Sequence, residues 1–319
     1  MAFRLVYFGT PGFAVPALLR LIGSAHQVVA VVTQPDRPRG RGHKVVPEAV
    51  KVAAVEHGLP LFQPTRLKDP ALLDALRALQ PDLGVVAAYG RILPTEHLAL
   101  PRLGLINVHG SLLPRWRGAA PVHRAIMAGD LTTGVTIMRV VQALDAGPML
   151  ARVTTNIDPD ESSVELERRL ASAGAAVLLE TVNRLANGHA VDEEPQDERL
   201  VTYASRLERK ESQVDWSRPA REIHNRIRGL QPWPLAAAVL HARRVLLLRS
   251  AVDAGDAGTP PGVVAGVTPD AIAVGTGSGT LRLLEIQPEG RAAMPVRAFL
   301  SGHRVVAGDR FTPVPVTGP

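Results

Sequence analysis

The sequence predicts an α/β fold: an open, doubly wound sheet of mostly parallel strands, followed by a small C-terminal β-barrel. Two observations carry this prediction. Short apolar runs alternate with helical patterns through the first half of the chain, which is typical of parallel βαβ units. After Pro234 the pattern changes to short apolar runs separated by Gly and Pro turns, which is typical of a barrel.

The first six elements follow from the spacing of apolar residues. Continuous apolar runs predict buried strands, and apolar residues three and four positions apart predict helices. Asp69 precedes the third helical pattern and is a candidate N-cap. The predicted strands lie at 3–9, 26–36 and 59–64, and the predicted helices at 14–25, 47–58 and 69–79.

The following elements complete the sheet and begin a second domain. The runs LGVVAAYG, LGLINVHG and TGVTIMRVV predict three more strands, with a helix over PVHRAIMAGD before the last of them. A long amphipathic helix is predicted over 158–188. A polar stretch without an apolar period comes next, and we expect it to act as a linker and substrate-facing loop. The predicted division is a first domain at 1–189, a linker at 190–206 and a barrel domain at 207–319.

The composition is that of a globular protein. Of the 319 residues, 46% are hydrophobic and 21% are charged, which is far from the composition of disordered chains. The absence of cysteine excludes disulfides, thiolate nucleophiles and cysteine-built metal sites. The sequence shows neither a signal-peptide pattern nor an apolar run long enough to span a membrane. We therefore expect a soluble cytoplasmic protein.

The glycines of FGTPGF lie between the first strand and the first helix, where many folds bind a cofactor phosphate. Gly9 and Gly12 do not have the GxGxxG spacing, and Pro11 removes one N–H donor. We therefore favour a tight turn that lets the helix pack on the sheet. For the same reason a nicotinamide oxidoreductase is disfavoured.

The loop QPDRPRGRGHK is rich in positive charge. It contains Arg37, Arg39, Arg41 and Lys44 against a single Asp36. A solvated charged turn and a phosphate-gripping loop explain this run equally well. The net charge of +6 favours a polyanionic partner without identifying one.

Three side chains that suit acyl transfer follow the ends of predicted strands. Asn107 and His109 lie where LGLINVHG stops being apolar, and Asp145 stands just before a Gly-Pro turn. In a doubly wound sheet, such positions border the ligand crevice. There an amide can stabilise an oxyanion, an imidazole can supply or relay a proton, and a carboxylate can orient the imidazole and help deprotonate an attacking amine. The alternative is a structural turn that holds a hydrogen-bonded histidine.

The motifs around these residues resemble those of the formyltransferases that use 10-formyltetrahydrofolate. The run NVHGSLLP is followed by RGAAP and, further on, by DAGP. The segments FGTPGFAVPAL, QPDRPRGRGHK, AYGRILP and DWSRPAREIHNRIRGLQPWP extend the resemblance over nearly the whole chain. Within this family the chain is similar to the members that formylate initiator methionyl-tRNA.

This resemblance implies the substrates and the type of each domain. The formyl donor would be 10-formyltetrahydrofolate, and the acceptor would be the α-amino group of methionine on initiator methionyl-tRNA, which is formylated for translation initiation. No metal is implied. The first domain would be the Rossmann-like catalytic domain, and the second a tRNA-binding barrel of the oligonucleotide-binding type. We expect the enzyme to be a monomer.

The resemblance also implies the residues of the site. Asn107, His109 and Asp145 match the family's catalytic Asn, His and Asp, and Phe13 would border the methionine side chain. The implied folate-binding residues are Tyr89, Gly90, Arg91, Ile92, Leu93, Ser111, Leu112, Leu113 and Pro114, and the implied tRNA-binding residues are Arg37, Arg39, Arg41 and Lys44.

Two positions depart from the family pattern, and other acceptors remain open. Trp116 stands where the family commonly has Tyr or Phe, and Ala292 stands where many relatives carry lysine. The nearest alternative is a formyltransferase that acts on a small amine, such as an amino-sugar nucleotide or glycinamide ribonucleotide, because it would share the Asn-His-Asp set. A non-catalytic RNA-binding protein is a more distant alternative. The basic loop and the β-rich second domain favour tRNA.

Overall fold

The computed structural model of the chain describes residues 1–39, 44–253, 255 and 258–314. The chain divides into two compact units, each assembled from three segments. The predicted boundaries at 1–189, 190–206 and 207–319 stay a prediction. The first unit comprises Met1–Pro121, Thr132–Asn156 and Glu167–Ala204, and the second comprises Val122–Leu131, Ile157–Leu166 and Ser205–Pro319.

The first unit contains the strands up to residue 204. In chain order these strands are β1 (Arg4–Gly9), β2 (Gln27–Val32), β3 (Arg37–Arg39), β4 (Lys44–Val46), β5 (Leu61–Phe62), β6 (Leu83–Ala87), β7 (Leu105–His109), β8 (Arg117–Gly118), β9 (Thr132–Arg139), β10 (Met149–Asn156) and β11 (Tyr203–Ala204).

Six α-helices begin before residue 204, in addition to short 3-10 turns at Gly12–Ala14 and Glu198–Leu200. They are α1 (Val15–Ile22), α2 (Ala49–Glu56), α3 (Pro70–Ala78), α4 (Thr95–Leu98), α5 (Pro121–Ala128) and α6 (Ser163–Ala186). The predicted N-cap of α3 is confirmed, because the Asp69 carboxylate accepts the N–H of Ala71 at 3.0 Å.

Seven of the strands form one sheet in the order β10-β9-β7-β6-β1-β2-β5. The pairs among β1, β2, β5, β6 and β7 are parallel, whereas β9 runs antiparallel to both β7 and β10. This confirms the predicted mostly parallel, doubly wound sheet. We did not predict β10, because it lacks the continuous apolar run that marked the other strands: two buried residues are followed by alternating half-buried and exposed ones.

Successive strands of the chain are added to the sheet on opposite sides of β1, so the strand order changes direction between β1 and β6. β2 and β5 follow on one side of β1, while β6, β7, β9 and β10 follow on the other. The register pairs Gly9 with Ala87 and Ala87 with Val108, so the carboxyl ends of β1, β6 and β7 lie side by side. In open α/β sheets this switch point is where ligands bind.

The turn after β1 is closely packed, as expected from the sequence. A Cβ atom added to Gly9 would lie 2.7 Å from Tyr7 Cε1 and 2.9 Å from Ala14 Cβ. The Tyr7 hydroxyl also donates to the Ala14 carbonyl at 2.5 Å. Glycine is therefore needed here so that the start of α1 can approach β1, which is the structural explanation favoured above.

The ends of the basic loop form a two-stranded antiparallel ribbon of β3 and β4. Arg37 pairs with Val46, and Arg39 pairs with Lys44. The ribbon makes its own pairing and lies outside the seven-stranded sheet. Arg41, one of the predicted tRNA-binding residues, lies outside the described residues.

Residues inside the predicted linker hydrogen-bond within the first unit. Glu194 exchanges backbone hydrogen bonds with Met149, and β11 pairs in parallel with β8. The polar stretch after α6 is therefore ordered by backbone pairing as far as Ala204, although it has no apolar period.

The second unit is built on an antiparallel sheet of six strands. Five follow the order β12-β13-β16-β15-β14, and β17 pairs with β16. A short 3-10 turn precedes them at Arg209–Ser212. The elements are α7 (Ala220–Gly229), β12 (Ala236–Leu240), β13 (Arg243–Asp253), β14 (Val264–Thr268), β15 (Ala271–Gly275), β16 (Thr280–Pro288), β17 (Met294–Pro295) and α8 (Val296–Leu300).

The segment after α8 closes this sheet into a barrel. Thr312 exchanges two backbone hydrogen bonds with Val239 of β12, and Arg310 bridges to Val263, next to β14. One short segment thus contacts both edge strands, β12 and β14. The predicted small barrel is confirmed, and its edges are covered by the chain itself.

No helix in the described ranges is both long enough and apolar enough to cross a membrane.

We predict that Asp69→Ala lowers the free energy of unfolding by about 1 kcal/mol, because the N–H of Ala71 then loses its capping acceptor. Chemical denaturation followed by circular dichroism measures this change. Asp69→Asn should lower the free energy of unfolding much less, because the asparagine side chain can still accept the Ala71 N–H. Asp74→Ala is the matched control, since Asp74 is exposed on the same helix and forms only a surface ion pair with Arg77. Equal losses for Asp69→Ala and Asp74→Ala would contradict the capping role.

Candidate active site

Two of the predicted catalytic residues lie at the carboxyl end of β7. Asn107 and His109 are two residues apart on one strand, so their side chains lie on the same face of the sheet. β7 is paired with β6 on one side and β9 on the other, which fixes both backbone positions. Asn107 is half-buried, and its side chain makes no hydrogen bond with the described part of the chain, so its amide is available to a ligand.

Asp145 lies in the turn between β9 and β10, and its backbone has a φ of +48°. This left-handed conformation is uncommon outside glycine and is tolerated best by Asn and Asp. The following turn is pressed against β9, because a Cβ added to Gly147 would lie 1.9 Å from the Arg139 carbonyl oxygen. The turn therefore has little freedom to move toward that strand.

His109 and Asp145 face each other. His109 Nδ1 lies 3.8 Å from Asp145 Oδ2, and the two side chains are only 6% and 14% exposed. That distance is too long for a hydrogen bond but suits an ion pair. Because both groups are withdrawn from solvent, salt screens their attraction less than it screens a surface pair.

The contacts around this pair fix the orientation of the His109 ring. His109 Nε2 lies 2.9 Å from the Trp116 carbonyl oxygen, which can only accept, so Nε2 is the donor in this hydrogen bond. Nδ1 then faces the Asp145 carboxylate at 3.8 Å. The ring is therefore held at one nitrogen by a backbone carbonyl and presents the other to a carboxylate.

The carboxylate of Asp145 is also held by β8. The Gly118 N–H donates to Asp145 Oδ2 at 2.8 Å. Since Trp116, the acceptor for His109, is two residues before Gly118, one short segment holds both members of the pair. The Arg115 guanidinium lies 4.3 Å above the centre of the Trp116 ring. Trp116 therefore still presents an aromatic ring where the family commonly has Tyr or Phe, and a cation covers that ring.

The first predicted folate segment, Ser111 to Pro114, is fixed by Thr136 of β9. The Thr136 hydroxyl donates to the Ser111 carbonyl at 2.7 Å and accepts the Leu113 N–H at 3.1 Å. The Ser111 hydroxyl donates to the Arg115 carbonyl at 2.6 Å. Leu113 is buried against Met138 and Met149, Leu112 is half-buried, and the Leu113–Pro114 peptide is cis.

The second predicted folate segment, Tyr89 to Leu93, follows β6. The Tyr89 carbonyl accepts hydrogen bonds from Gln34 Nε2 at 2.8 Å and from Thr10 Oγ1 at 3.2 Å. Gly90 has a φ of +77°, and a Cβ there would lie 2.7 Å from Gln34 Nε2. The turn thus depends on glycine. Burial raises the pKa of the Tyr89 hydroxyl, an effect that the positive charge of Arg91 partly offsets.

The rest of this segment presents both apolar surface and charge. Ile92 is 72% exposed, whereas Leu93 is buried. Arg91 is half-buried and donates to the carbonyls of Pro64 and Thr65 at 3.1 and 3.2 Å. An exposed apolar side chain therefore stands beside a cation at the carboxyl edge of the sheet.

The remaining predicted residues lie on neighbouring elements. Phe13 is half-buried in the 3-10 turn Gly12–Ala14, directly after β1. Arg37 is exposed at the start of β3. In the described ranges, no group of three or more His, Cys, Asp or Glu side chains is arranged to hold a metal ion.

Sequence reasoning missed the residues that support the site. Thr136 lies within an apolar strand, and Gln34 lies in the loop after β2. Gln196 lies in the polar stretch after α6 and donates to the carbonyl oxygens of both Asp145 and Gly147. Their partners are far away in sequence, so no local spacing could have identified them.

Both halves of the chain match known protein families. Residues 3–182 match the formyl transferase family, and residues 206–304 match the formyl transferase C-terminal domain. A methionyl-tRNA formyltransferase from Methylococcus capsulatus is 48% identical over 308 residues, which is 97% of this chain and 99% of that protein.

Solved structures of more distant proteins share the fold. An N-formyltransferase from Helicobacter canadensis, solved with folinic acid and dTDP-3-aminofucose, superposes with a TM-score of 0.68 at 16% identity, over 88% of this chain and 98% of its own. HypX from Aquifex aeolicus, solved with tetrahydrofolic acid, gives 0.65 at 17% identity, over 97% of this chain and 51% of its own. Family models match both halves of the chain, and one relative is nearly half identical over almost its full length. The chain therefore belongs to the formyl transferase family, among the methionyl-tRNA formyltransferases.

Proposed function

We propose that this chain transfers the formyl group of 10-formyltetrahydrofolate to the α-amino group of methionine on initiator methionyl-tRNA, giving N-formylmethionyl-tRNA for translation initiation. The observation that carries the proposal is the facing pair of His109 and Asp145, with the unengaged amide of Asn107 on the same strand as His109. These are the groups that acyl transfer to an amine requires, and they lie where α/β sheets bind ligands.

The two segments beside the strand ends fit a folate co-substrate. Folates combine a flat ring system with a carboxylate-bearing tail, and the exposed Ile92 next to the cationic Arg91 offers an apolar and a positive contact. The segment from Ser111 to Pro114 would form the opposite wall, since Thr136 and the apolar contacts of Leu113 hold it rigidly. When bound, the donor supplies an electrophilic formyl carbon attached to N10.

Asn107 and His109 would stabilise the charge that develops during attack. The Asn107 amide donates a hydrogen bond to the formyl oxygen as that oxygen becomes anionic. His109, protonated on both nitrogens, places a positive charge beside the same oxygen. Its Nε2–H stays bonded to the Trp116 carbonyl, which fixes the plane of the ring.

Asp145 would have two tasks. Its negative charge, 3.8 Å from His109 Nδ1, would pair with the positive charge of the His109 ring during the reaction. The carboxylate also accepts the proton that the amine of the acceptor loses as the new C–N bond forms. The same proton is then passed to N10 as the C–N10 bond breaks, so the carboxylate is regenerated. The amine is itself the nucleophile, and none from the protein is needed.

The acceptor would be recognised outside these three residues. Arg37, Arg39, Arg41 and Lys44 of the basic loop would contact phosphates of the tRNA acceptor end, and Phe13 would border the methionine side chain. The barrel of the second unit would bind the tRNA as well. We further propose that the enzyme acts as a monomer and in the cytoplasm.

The proposed acceptor is tested by incubating the protein with 10-formyltetrahydrofolate and one of three amines. We expect rapid formylation of charged initiator tRNA and little formylation of free methionine, because free methionine has no phosphates for the basic loop and the barrel to contact. The charged elongator tRNA measures how far the enzyme selects between tRNAs. Mass spectrometry of the released amino acid measures the product. Formylation of free methionine as readily as of charged tRNA would overturn the assignment of the acceptor.

We predict that Asn107→Ala, His109→Ala and Asp145→Ala each lower kcat by about two to four powers of ten, as expected for the loss of an oxyanion donor or a proton-transfer group. Asp145→Asn should lower kcat nearly as much, because it carries no charge. This variant can still accept the Gly118 N–H, so the turn itself should be preserved. His57→Ala is the control, since His57 is exposed at the end of α2. Folded variants that keep near-parental rates would remove the catalytic assignment.

Removing a cation from the basic loop should weaken tRNA binding rather than slow the chemistry. For Arg37→Ala we expect a higher Kd for tRNA and a plot of log K against log salt that is shallower by about one. Nitrocellulose filter binding at several salt concentrations measures the slope. Arg77→Ala, which removes an exposed cation from α3, is the matched control. An unchanged slope for Arg37→Ala would show that this residue contacts no phosphate.

A further inference from the structure

We propose that Gln196 is a positioning residue for Asp145, and that the polar stretch after α6 is thereby part of the active site. The inference rests on the proposed function of Asp145. Gln196 does not face the reacting atoms in this account. It acts by holding the backbone from which the Asp145 carboxylate projects.

The first step of the argument is the contact itself. Gln196 Nε2 donates to the carbonyl oxygens of Asp145 and Gly147, each at 2.8 Å. A single amide group therefore ties together both ends of a three-residue turn. This turn needs support, since Asp145 is in the left-handed region with a φ of +48°.

The orientation of the Gln196 amide is fixed by Arg117. Arg117 Nε donates to Gln196 Oε1 at 2.9 Å, and a guanidinium can only donate, so the amide oxygen must face it. The amide nitrogen is then directed at the two carbonyls. Arg117 is 3% exposed, and Glu198 accepts from its two terminal nitrogens at 2.8 and 3.3 Å.

These contacts form a closed ring of hydrogen bonds. Arg117 holds Gln196, Gln196 holds the backbone of Asp145, and the Asp145 carboxylate accepts the N–H of Gly118, which follows Arg117 in the chain. The carboxylate of Asp145 is thus bonded directly to β8, and its backbone is linked to the same short strand through Gln196 and Arg117. Two separate attachments fix the direction of the carboxylate, which one attachment could not do.

The polar stretch also holds β8 in place. The backbone N–H of Arg117 donates to the Thr202 carbonyl at 2.9 Å. The backbone N–H of Trp116 donates to the Thr202 hydroxyl, also at 2.9 Å. A Cβ added to Gly118 would lie 2.7 Å from the Ala204 carbonyl oxygen, so the two strands are in close contact. The segment from Gln196 to Ala204 therefore supports both Asp145 and the carbonyl that binds His109.

The functional consequence follows from the geometry. The pair of His109 and Asp145 is separated by 3.8 Å, and small errors in the placement of catalytic groups cost large factors in rate. Loss of the Gln196 contact should therefore lower kcat. It should leave the KM values nearly unchanged, because Gln196 is assigned no contact with either substrate.

The test is the isosteric variant Gln196→Glu. A carboxylate can still accept from Arg117, but it cannot donate to the two carbonyls. We expect kcat to fall by about tenfold to a hundredfold, while the KM values for 10-formyltetrahydrofolate and methionyl-tRNA stay within about threefold. Gln196→Ala should give a similar loss and serves as the second variant should Gln196→Glu fold poorly.

The control is Gln27→Glu. Gln27 is exposed in the first unit and accepts from Arg4 Nη1 through its amide oxygen at 3.1 Å, a contact that a carboxylate preserves. It opens β2 at the amino end, whereas the proposed site lies at the carboxyl ends of the strands. We expect parental kcat and KM values for this variant, and thermal unfolding of all variants shows whether the fold is intact.

A double-mutant cycle with Asp145→Ala separates positioning from a general structural role. If Gln196 acts through Asp145, adding Gln196→Glu to Asp145→Ala should change kcat by less than about twofold. The same loss in both backgrounds, or a parental kcat for folded Gln196→Glu and Gln196→Ala, would overturn the inference. A parental kcat for Asp145→Ala alone would instead remove the proposed role of Asp145.

Hydrogen exchange gives a second readout that does not depend on activity. The Gly118 N–H is bonded to the Asp145 carboxylate, so it should exchange faster in Gln196→Glu and in Gln196→Ala. The N–H of Leu113, which is bonded to Thr136, should exchange at the parental rate. Unchanged exchange at Gly118 in both variants would contradict the positioning role.

Discussion

The site depends on the left-handed turn at Asp145 and on the hydrogen bonds that make this conformation tolerable. A residue other than glycine with positive φ costs free energy, commonly about 1 kcal/mol or more, and it persists only when neighbouring groups fix it. Here the neighbours are the Gly118 N–H and the Gln196 amide. The same conformation turns the carboxylate toward His109, so the contacts that stabilise the turn also create the charge pair.

The sheet supplies the other half of this arrangement. β7 lies between a parallel neighbour, β6, and an antiparallel neighbour, β9, and both ladders hold its backbone. Asn107 and His109 therefore gain their positions from regular pairing, whereas Asp145 gains its position from side-chain contacts in a turn. A site built in this way has one rigid component and one that depends on a few hydrogen bonds, and the second is the more sensitive to single substitutions.

Much of this could be predicted from the sequence, because the signals were local. The apolar run LGLINVHG identified the strand that holds Asn107 and His109, and Asp69 identified the start of a helix. β10 was missed because we identified strands by continuous apolar runs, whereas in β10 buried or half-buried residues alternate with exposed ones after the first two positions. The closure of the barrel by the segment around Thr312 and the support of Asp145 by Gln196 were equally beyond prediction, because both join residues that are far apart in the chain.

Under the proposed function, different residues carry the chemistry and the choice of acceptor. Any primary amine that reached Asp145 would meet the same three groups, whether it belonged to a small molecule or to a charged tRNA, so Asn107, His109 and Asp145 would not distinguish acceptors. Selection would then come from surfaces that touch the rest of the acceptor, for which we propose the ribbon of β3 and β4 and the barrel. Substitutions in these surfaces would be expected to change the acceptor while leaving the His109–Asp145 pair as it is.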